Sequence, residues 1–442
     1  MLKSLMTTTM VAGIAFAGAA AAQDGPYAPY EGTTLIVNFP AHPHYNAVLE
    51  VLPEFTAQTG IEVEVDMLPY LDMRERQTLE LALDEGAYDL IAYVVFSKAD
   101  YVYADQIHNL APFFMNPRLA DPNYDAGDLI DGYVQNIGVA GGEKGYLPGP
   151  TGSLYGLPFG SETSVLYYRT DIFEKHGLDV PATYDEFLDL ACRIPELEPG
   201  MGGVASRAAS GHQASHAFLL HLAPLGGRVF DDAWKPRIND AAGVEAAEAL
   251  KQIVDCGPEG SSNFGPAEAA NAFATGQAAM YLDSIAFAPT FEDPSRSQVV
   301  GNVGWAMHPE GVQRASQTGG FGLAIPRNAE HPEAAFLLMQ WLTSKEGDLA
   351  VAMAGGNPSR FSTYENAELN AKFPWSATFG EALAHADPDW RPIIPAWGRI
   401  NADIGTTLSQ VLTEDLDIQA ALDSIAERTE ALMDEEGYYI WQ

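Results

Sequence analysis

The chain opens on an alternation that few folds can absorb. "TTLIVNF" (33–39) is a short apolar run. "HYNAVLEVLPEFTAQTG" (44–60) carries apolar residues at helical spacing and stops at Gly60, the left-handed residue that commonly ends a helix. "IEVEVDM" (61–67) alternates strictly, with Ile61, Val63, Val65 and Met67 on one face and acids on the other. Asp72 is placed to cap a further helix running to about Gly86. "YDLIAYVV" (88–95) is nearly continuous in apolar residues, as in a strand buried on both faces. The order is β-α-β-α-β, and strands alternating with helices specify a parallel sheet covered by helices.

The rest of the chain keeps this texture. Residues 110–160 are rich in Pro and Gly and read as loops. "TSVLYYRT" is a strand and "DIFEKHG" a short helix. "ATYDEFLDLACRI" opens with Thr183 and Glu186 three apart, a capping box, and turns Phe187, Leu190, Ala191 and Ile194 to one face. Helices are expected over 212–224, 241–257 and 331–344, a helix-turn-strand over 267–284, a strand over 319–326, and two helices after Trp397.

With 442 residues the chain is long enough for two or more domains. Lys and Arg number 23 against 60 Asp and Glu, a net charge of −37. That excludes nucleic acid, which needs a basic footprint, and anionic membrane surfaces. At the N-terminus Lys3, the modest apolar run "LMTTTMVAGIAFAGAAA" and the small residues at 20–22 form an export signal cleaved near Ala22. No cysteine stands at the cleavage site to carry a lipid anchor, so a soluble periplasmic protein is expected. Only Cys192 and Cys256 are present; an oxidising compartment permits a bond between them, and spacing leaves open whether they meet.

The chemistry of catalysis is thinly represented. No G-x-S-x-G elbow, Walker A sequence or G-x-G-x-x-G fingerprint after the first strand occurs. Glu162 with Asp171 or Asp283 would serve as a glycosidase pair, but 60 acids make chance pairs inevitable. His212, His216 and His221 share part of a helical face without the Glu of a His-Glu-x-x-His metal motif. His42 and His44 follow the first strand, at the carboxyl end where α/β sheets meet ligands. Many aromatics stand among polar residues, the mixture that suits a sugar: rings for its C–H face, planar side-chain forks for its hydroxyls.

At this point the residues carry a resemblance. "YGLPFGSETSVLYYRTDIFEKHGLDVPATYDEFLDLA" is similar to the segment of family 1 extracellular solute-binding proteins of ABC importers in which Y-G-L-P leads into a strand, then D-F-K-x-G, then P-T-W-x-E. Arg169 stands for the usual Asn and Tyr184 for the usual Trp. "FATGQAAMYLDS", "GGFGLAIPRNAEHPEAAFLLMQWLTSKEG" and "GGNPSR" resemble later motifs of the family in the same order. "RVFDDAWKPRINDAAGVEAAEAL" with "GPEGSSNF" resembles branches that take monosaccharides or sugar alcohols.

The resemblance implies an α/β fold of two lobes, each a mainly parallel sheet flanked by helices, joined by a multi-strand hinge. It implies a first lobe of residues 23–159 and 320–360, and a second of 160–319 and 361–442. It implies capture of a sugar or polyol between the lobes by a monomer without cofactor or metal, and delivery to the membrane subunits of a permease. An exported glycosidase or lyase is the alternative, and a metal carrier using His212 and His216 a third. By motif position, Pro158–Gly160 becomes a hinge crossing and Glu162 the first polar contact beyond it. Tyr93 and Phe96 end the third strand, and His42 and His44 follow the first. His212 and Gln213 begin a helix of the second lobe, and Asp283 ends the strand after the Ala-Ala-Met turn. Gly320 and Phe321 mark a second crossing. Arg360 follows the Gly-Gly-Asn-Pro turn, as a fork for hydroxyls beside Glu162 and Asp283. Trp397 heads the last helices, as the ring-stacking residue.

Overall fold

Apolar runs and helical stripes sort into the order that their periods predict. The computed structural model describes residues 25–141, 152–414 and 416–439; the expected export signal at 1–22 lies outside the described residues. The strands are β1 (Thr34–Pro40), β2 (Glu62–Leu68), β3 (Leu90–Val94), β4 (Val139–Ala140), β5 (Ser153–Leu154), β6 (Leu157–Glu162), β7 (Ser164–Arg169), β8 (Gly202–Ala205), β9 (Ala278–Ser284), β10 (Val303–Met307) and β11 (Gly319–Ala324). Helix Pro43–Thr59 buries Tyr45, Val48, Leu52 and Phe55 and stops at Gly60, whose φ is 70°. Helix Tyr184–Leu197 begins with the capping box of Thr183 and Glu186. Asp72 does not cap its helix: Tyr70–Glu80 starts after Pro69, so Asp72 falls in the first turn, where its carboxylate faces the positive end of the helix dipole.

Beside the two-stranded pair β4-β5, two larger sheets form, with orders β2-β1-β3-β11-β6 and β10-β7-β9-β8. They belong to two lobes. Both sheets are mixed rather than mainly parallel. The β1–β2, β1–β3 and β8–β9 pairs are parallel, as crossover helices require. β7 and β11 are antiparallel to both of their neighbours, because each enters its sheet from the other lobe rather than through a crossover helix. β6 stays in the first sheet through Glu162 and β11 joins it at Gly319, so the chain changes sheet at Thr163, beyond the expected crossing at 158–160. The register of β11 on β6 shifts between Gly320 and Gly322. Gly320 has φ 94°, and a Cβ there would lie 2.1 Å from the Gly160 carbonyl oxygen.

Side chains tie the two crossing segments together. The Thr163 hydroxyl donates to Ser316 Oγ at 2.6 Å, and the Gln317 amide donates to Ser164 Oγ at 3.2 Å. The first-lobe core packs Leu35, Val37 and Phe39 against Val48, Leu52 and Phe336. The second lobe packs Leu166, Val204, Met280 and Leu282 against Phe187 and Ile194. Between them lies a tyrosine-rich cluster with Tyr93, Tyr133, Tyr167 and Tyr281. Cys192 and Cys256 are joined in a disulfide between helix Tyr184–Leu197 and the end of helix Ala241–Asp255. Among the described residues, no helix is long and apolar enough to cross a membrane.

Candidate ligand-binding site

The carboxyl ends of the strands from both sheets converge between the lobes. His42 follows β1, Arg74 lies in the helix after β2, and Phe96 follows β3. Across from them Glu162 ends β6, Arg207 follows β8, and Asp283 and Ser284 end β9. The spacing is close. His42 Nε2 lies 3.2 Å from Glu162 Oε1, and Ser284 donates to Glu162 Oε2 at 2.6 Å. The Phe96 ring is 6.3 Å from that of His212, at the start of helix His212–Leu222, and 5.9 Å from the Arg391 guanidinium. Phe96 touches the first-lobe core, the hinge cluster and the second-lobe core.

Charge in this cleft is paired with care. Arg207 holds Asp283 with two donors, Nε to Oδ2 at 2.6 Å and Nη2 to Oδ1 at 2.7 Å, and its Nη1 donates to Gln213 Oε1 at 3.3 Å. Burial would push the Asp283 carboxyl up, but the Arg207 charge and the nearby His216 hold it well below the usual range. Glu162 is likewise held low: burial raises it, and the His42 and Ser284 hydrogen bonds with the Arg207 charge outweigh that. Burial, and then the charge of a neighbouring arginine, push His216 far down and His212 down to about 3, so both are neutral. Arg391 Nη2 donates to His216 Nδ1 at 2.7 Å, which leaves the imidazole proton on Nε2, 3.7 Å from Asp283. Asn401 Nδ2 lies 3.1 Å from His212 Nδ1. Carboxylates, guanidiniums and neutral imidazoles thus form one buried network with aromatic walls. It presents donors and acceptors in planar forks.

A family model for bacterial extracellular solute-binding proteins matches residues 42–348. The chain belongs to that family. This solute-binding protein is 28% identical over 393 residues to the mannitol-binding protein of Pseudomonas aeruginosa, covering 83% of this chain and 85% of the other. It is 25% identical over 345 residues to the erythritol/L-threitol-binding protein of Mycolicibacterium smegmatis, covering 76% and 72%. A solved ABC transporter solute-binding protein from Agrobacterium radiobacter in complex with ribitol superposes with a TM-score of 0.80 at 25% identity, covering 91% and 99%. Membership in a family of binders sets aside the exported hydrolase with its acidic pair.

Of the residues singled out by motif, His42, Phe96, Glu162, His212, Gln213 and Asp283 gather in the cleft of the solute-binding protein. The others do not. Arg360 is fully buried, and all three of its nitrogens are taken: Nε by the Thr343 carbonyl at 2.7 Å, Nη1 by the Asp125 carbonyl at 2.8 Å and Asp128 at 3.2 Å, and Nη2 by the Tyr124 carbonyl at 2.9 Å. It anchors the turn it follows. Trp397 is buried in the second-lobe core with Phe218, Ile400 and Ile404. Tyr93 is buried in the hinge cluster and donates to the Ile137 carbonyl at 2.6 Å. His44 is buried against Phe159 and accepts from the Asn357 amide at 3.1 Å. Gly320 makes the bulge in β11, and Phe321 is buried beside Tyr45, with its ring edge-on to His42 at 5.1 Å. Among the described residues no three metal-ligating side chains converge; His212 and His216 are engaged in the cleft network instead.

Arg207, Ser284, Arg391 and Asn401 join the cleft without motif guidance, and the Trp390 ring lies 5.2 Å from that of His216. Arg207, in "VASRAASGH", had a readable signal: it lies two residues past the end of β8, the same carboxyl-end position that marks His42 after β1. Arg391 has none, because its neighbours come from the turn after β3, from helix His212–Leu222 and from its own loop.

Proposed function

We propose that this solute-binding protein captures an uncharged sugar or polyol, preferably an acyclic sugar alcohol, between its lobes. The observation that carries the reading is the charge balance of the cleft. Two carboxylates, Glu162 and Asp283, face two guanidiniums, Arg207 and Arg391, with His212 and His216 neutral. Arg74, on Phe96 at 5.0 Å, has Asp100 as its own acidic neighbour. A balanced site gains nothing from a charged ligand, and its forks suit hydroxyls, each of which both donates and accepts. The relatives' ligands, mannitol, erythritol or L-threitol, and ribitol, support the same class. The protein works outside the cytoplasm after cleavage of its export signal. Closure of the lobes on ligand gives the permease of an ABC importer a form to distinguish from the empty one.

The test is a thermal-shift and calorimetry panel on protein refolded free of ligand. It holds D-mannitol, D-sorbitol, ribitol, erythritol, glucose, maltose, gluconate and divalent metals. A ligand at a thousand times its Kd adds about 4 kcal/mol of stability, a clear rise in Tm. Alditols are expected to raise Tm and to be recovered unchanged. A response confined to gluconate or to metals would overturn the reading.

A further inference from the structure

Arg391 is mounted on a segment that both lobes pin. Trp390 Nε1 donates to the Leu219 carbonyl at 2.9 Å on the second lobe, and Asn136 Nδ2 donates to the Pro388 carbonyl at 2.5 Å from the first. Its guanidinium lies 4.0 Å from the Trp390 ring centroid and 5.9 Å from that of Phe96, so one stacking partner comes from each lobe. The side chain is 6% exposed. Nη2 has a partner in His216, but Nε is buried with none, and among the described residues no carboxylate pairs with this arginine. Arg207, close by, shows the contrast: its fork is filled by Asp283.

A buried N–H without an acceptor is disfavoured, and native structures retain one where something else supplies the acceptor. The nitrogen is not waiting for an anion, since the cleft carboxylates already match its guanidiniums. Resting on the polyol reading above, we propose that Arg391 is the specificity-determining residue of the cleft, its guanidinium donating to adjacent hydroxyl oxygens of an acyclic polyol. A planar fork fixes the spacing of two acceptors, which an ammonium cannot do. Such a group rejects an analogue lacking the hydroxyl it reads, because the donor is then left buried and unpaired.

The experiment is calorimetry on the wild type, R391Q and R391K with D-mannitol, ribitol and erythritol. The 1-, 2- and 3-deoxy analogues of the tightest binder follow, with circular dichroism as the fold check. R391Q is expected to bind roughly thirtyfold or more weakly, and R391K not to restore affinity. The deoxy analogue that costs the wild type most should cost R391Q less than about threefold, because its partner has gone. Affinity within about threefold of wild type in R391Q, or the same deoxy penalties in both proteins, overturns the proposal while leaving the polyol reading intact. A wild type that binds none of the alditols overturns both. Should R391Q fail to fold, R391K carries the same test: unchanged affinity and unchanged deoxy penalties overturn the proposal.

Discussion

Two buried arginines in this protein look alike by exposure and differ in every other respect. Arg360 has backbone carbonyls and Asp128 on all three nitrogens, and its guanidinium lies 4.8 Å from the Tyr124 ring centroid. Arg391 has one imidazole, two aromatic rings and an unpartnered Nε. The first is a strut that joins the chain near 124–128 to the turn at 355–360. The second is the donor of a site whose acceptor comes from outside. Burial of charge therefore does not separate structure from function here; the accounting of hydrogen bonds does.

Acid should have the largest effect on that contrast. The partners of Arg360 are mostly carbonyls, which do not titrate, whereas the cleft depends on neutral imidazoles. Burial lowers His212 in the cleft, and His44, His221 and His308 outside it, to about 3, and His216 in the cleft further. An unfolded chain takes up these protons near 6.5 and the native one does not, so stability is full above pH 6.5 and falls as pH drops. Five histidines at roughly 1 kcal/mol each lose on the order of 5 kcal/mol between pH 6.5 and 5.5. Asp348, raised to about 6 by burial, works in the opposite direction, as do Asp100 and Glu292, which burial also pushes up, but these are fewer than the histidines. Denaturant melts across this range check the sign; a flat profile would mean that the imidazoles are not held neutral.

Replacing the strut comes next. Arg360→Ala strands three carbonyls and leaves Asp128 with Ser362 but without its guanidinium, and should cost roughly 3–5 kcal/mol of stability. R391Q removes a single hydrogen bond and an unsatisfied donor, so its melting point should stay near wild type while binding is lost. If the two variants melt alike, the distinction between strut and donor fails. Trp397→Phe is the smallest effect. It trims a core side chain, so about 1–2 kcal/mol of stability should go, with alditol affinity unchanged by calorimetry. A loss of affinity there would return Trp397 to the cleft.

The sequence by itself determined the succession of elements. The alternation at 61–67, the apolar run at 88–95, the stop at Gly60 and the capping box at Thr183 are local patterns, and local sterics and hydrogen bonding are enough to set them. His42, Phe96 and Glu162 were legible for a related reason: each follows or ends a strand, and an α/β sheet gathers those ends whatever else it does. Only the tertiary structure decided the directions of the hinge strands, the union of Cys192 with Cys256, the burial of Trp397 and Arg360, and the stacking of Arg391 on Trp390. Trp390 and Trp397 stand seven residues apart in similar composition, and one backs a cleft guanidinium while the other fills a core. Which does which depends on contacts with residues 96, 216 and 219, brought near by folding and invisible to any local pattern.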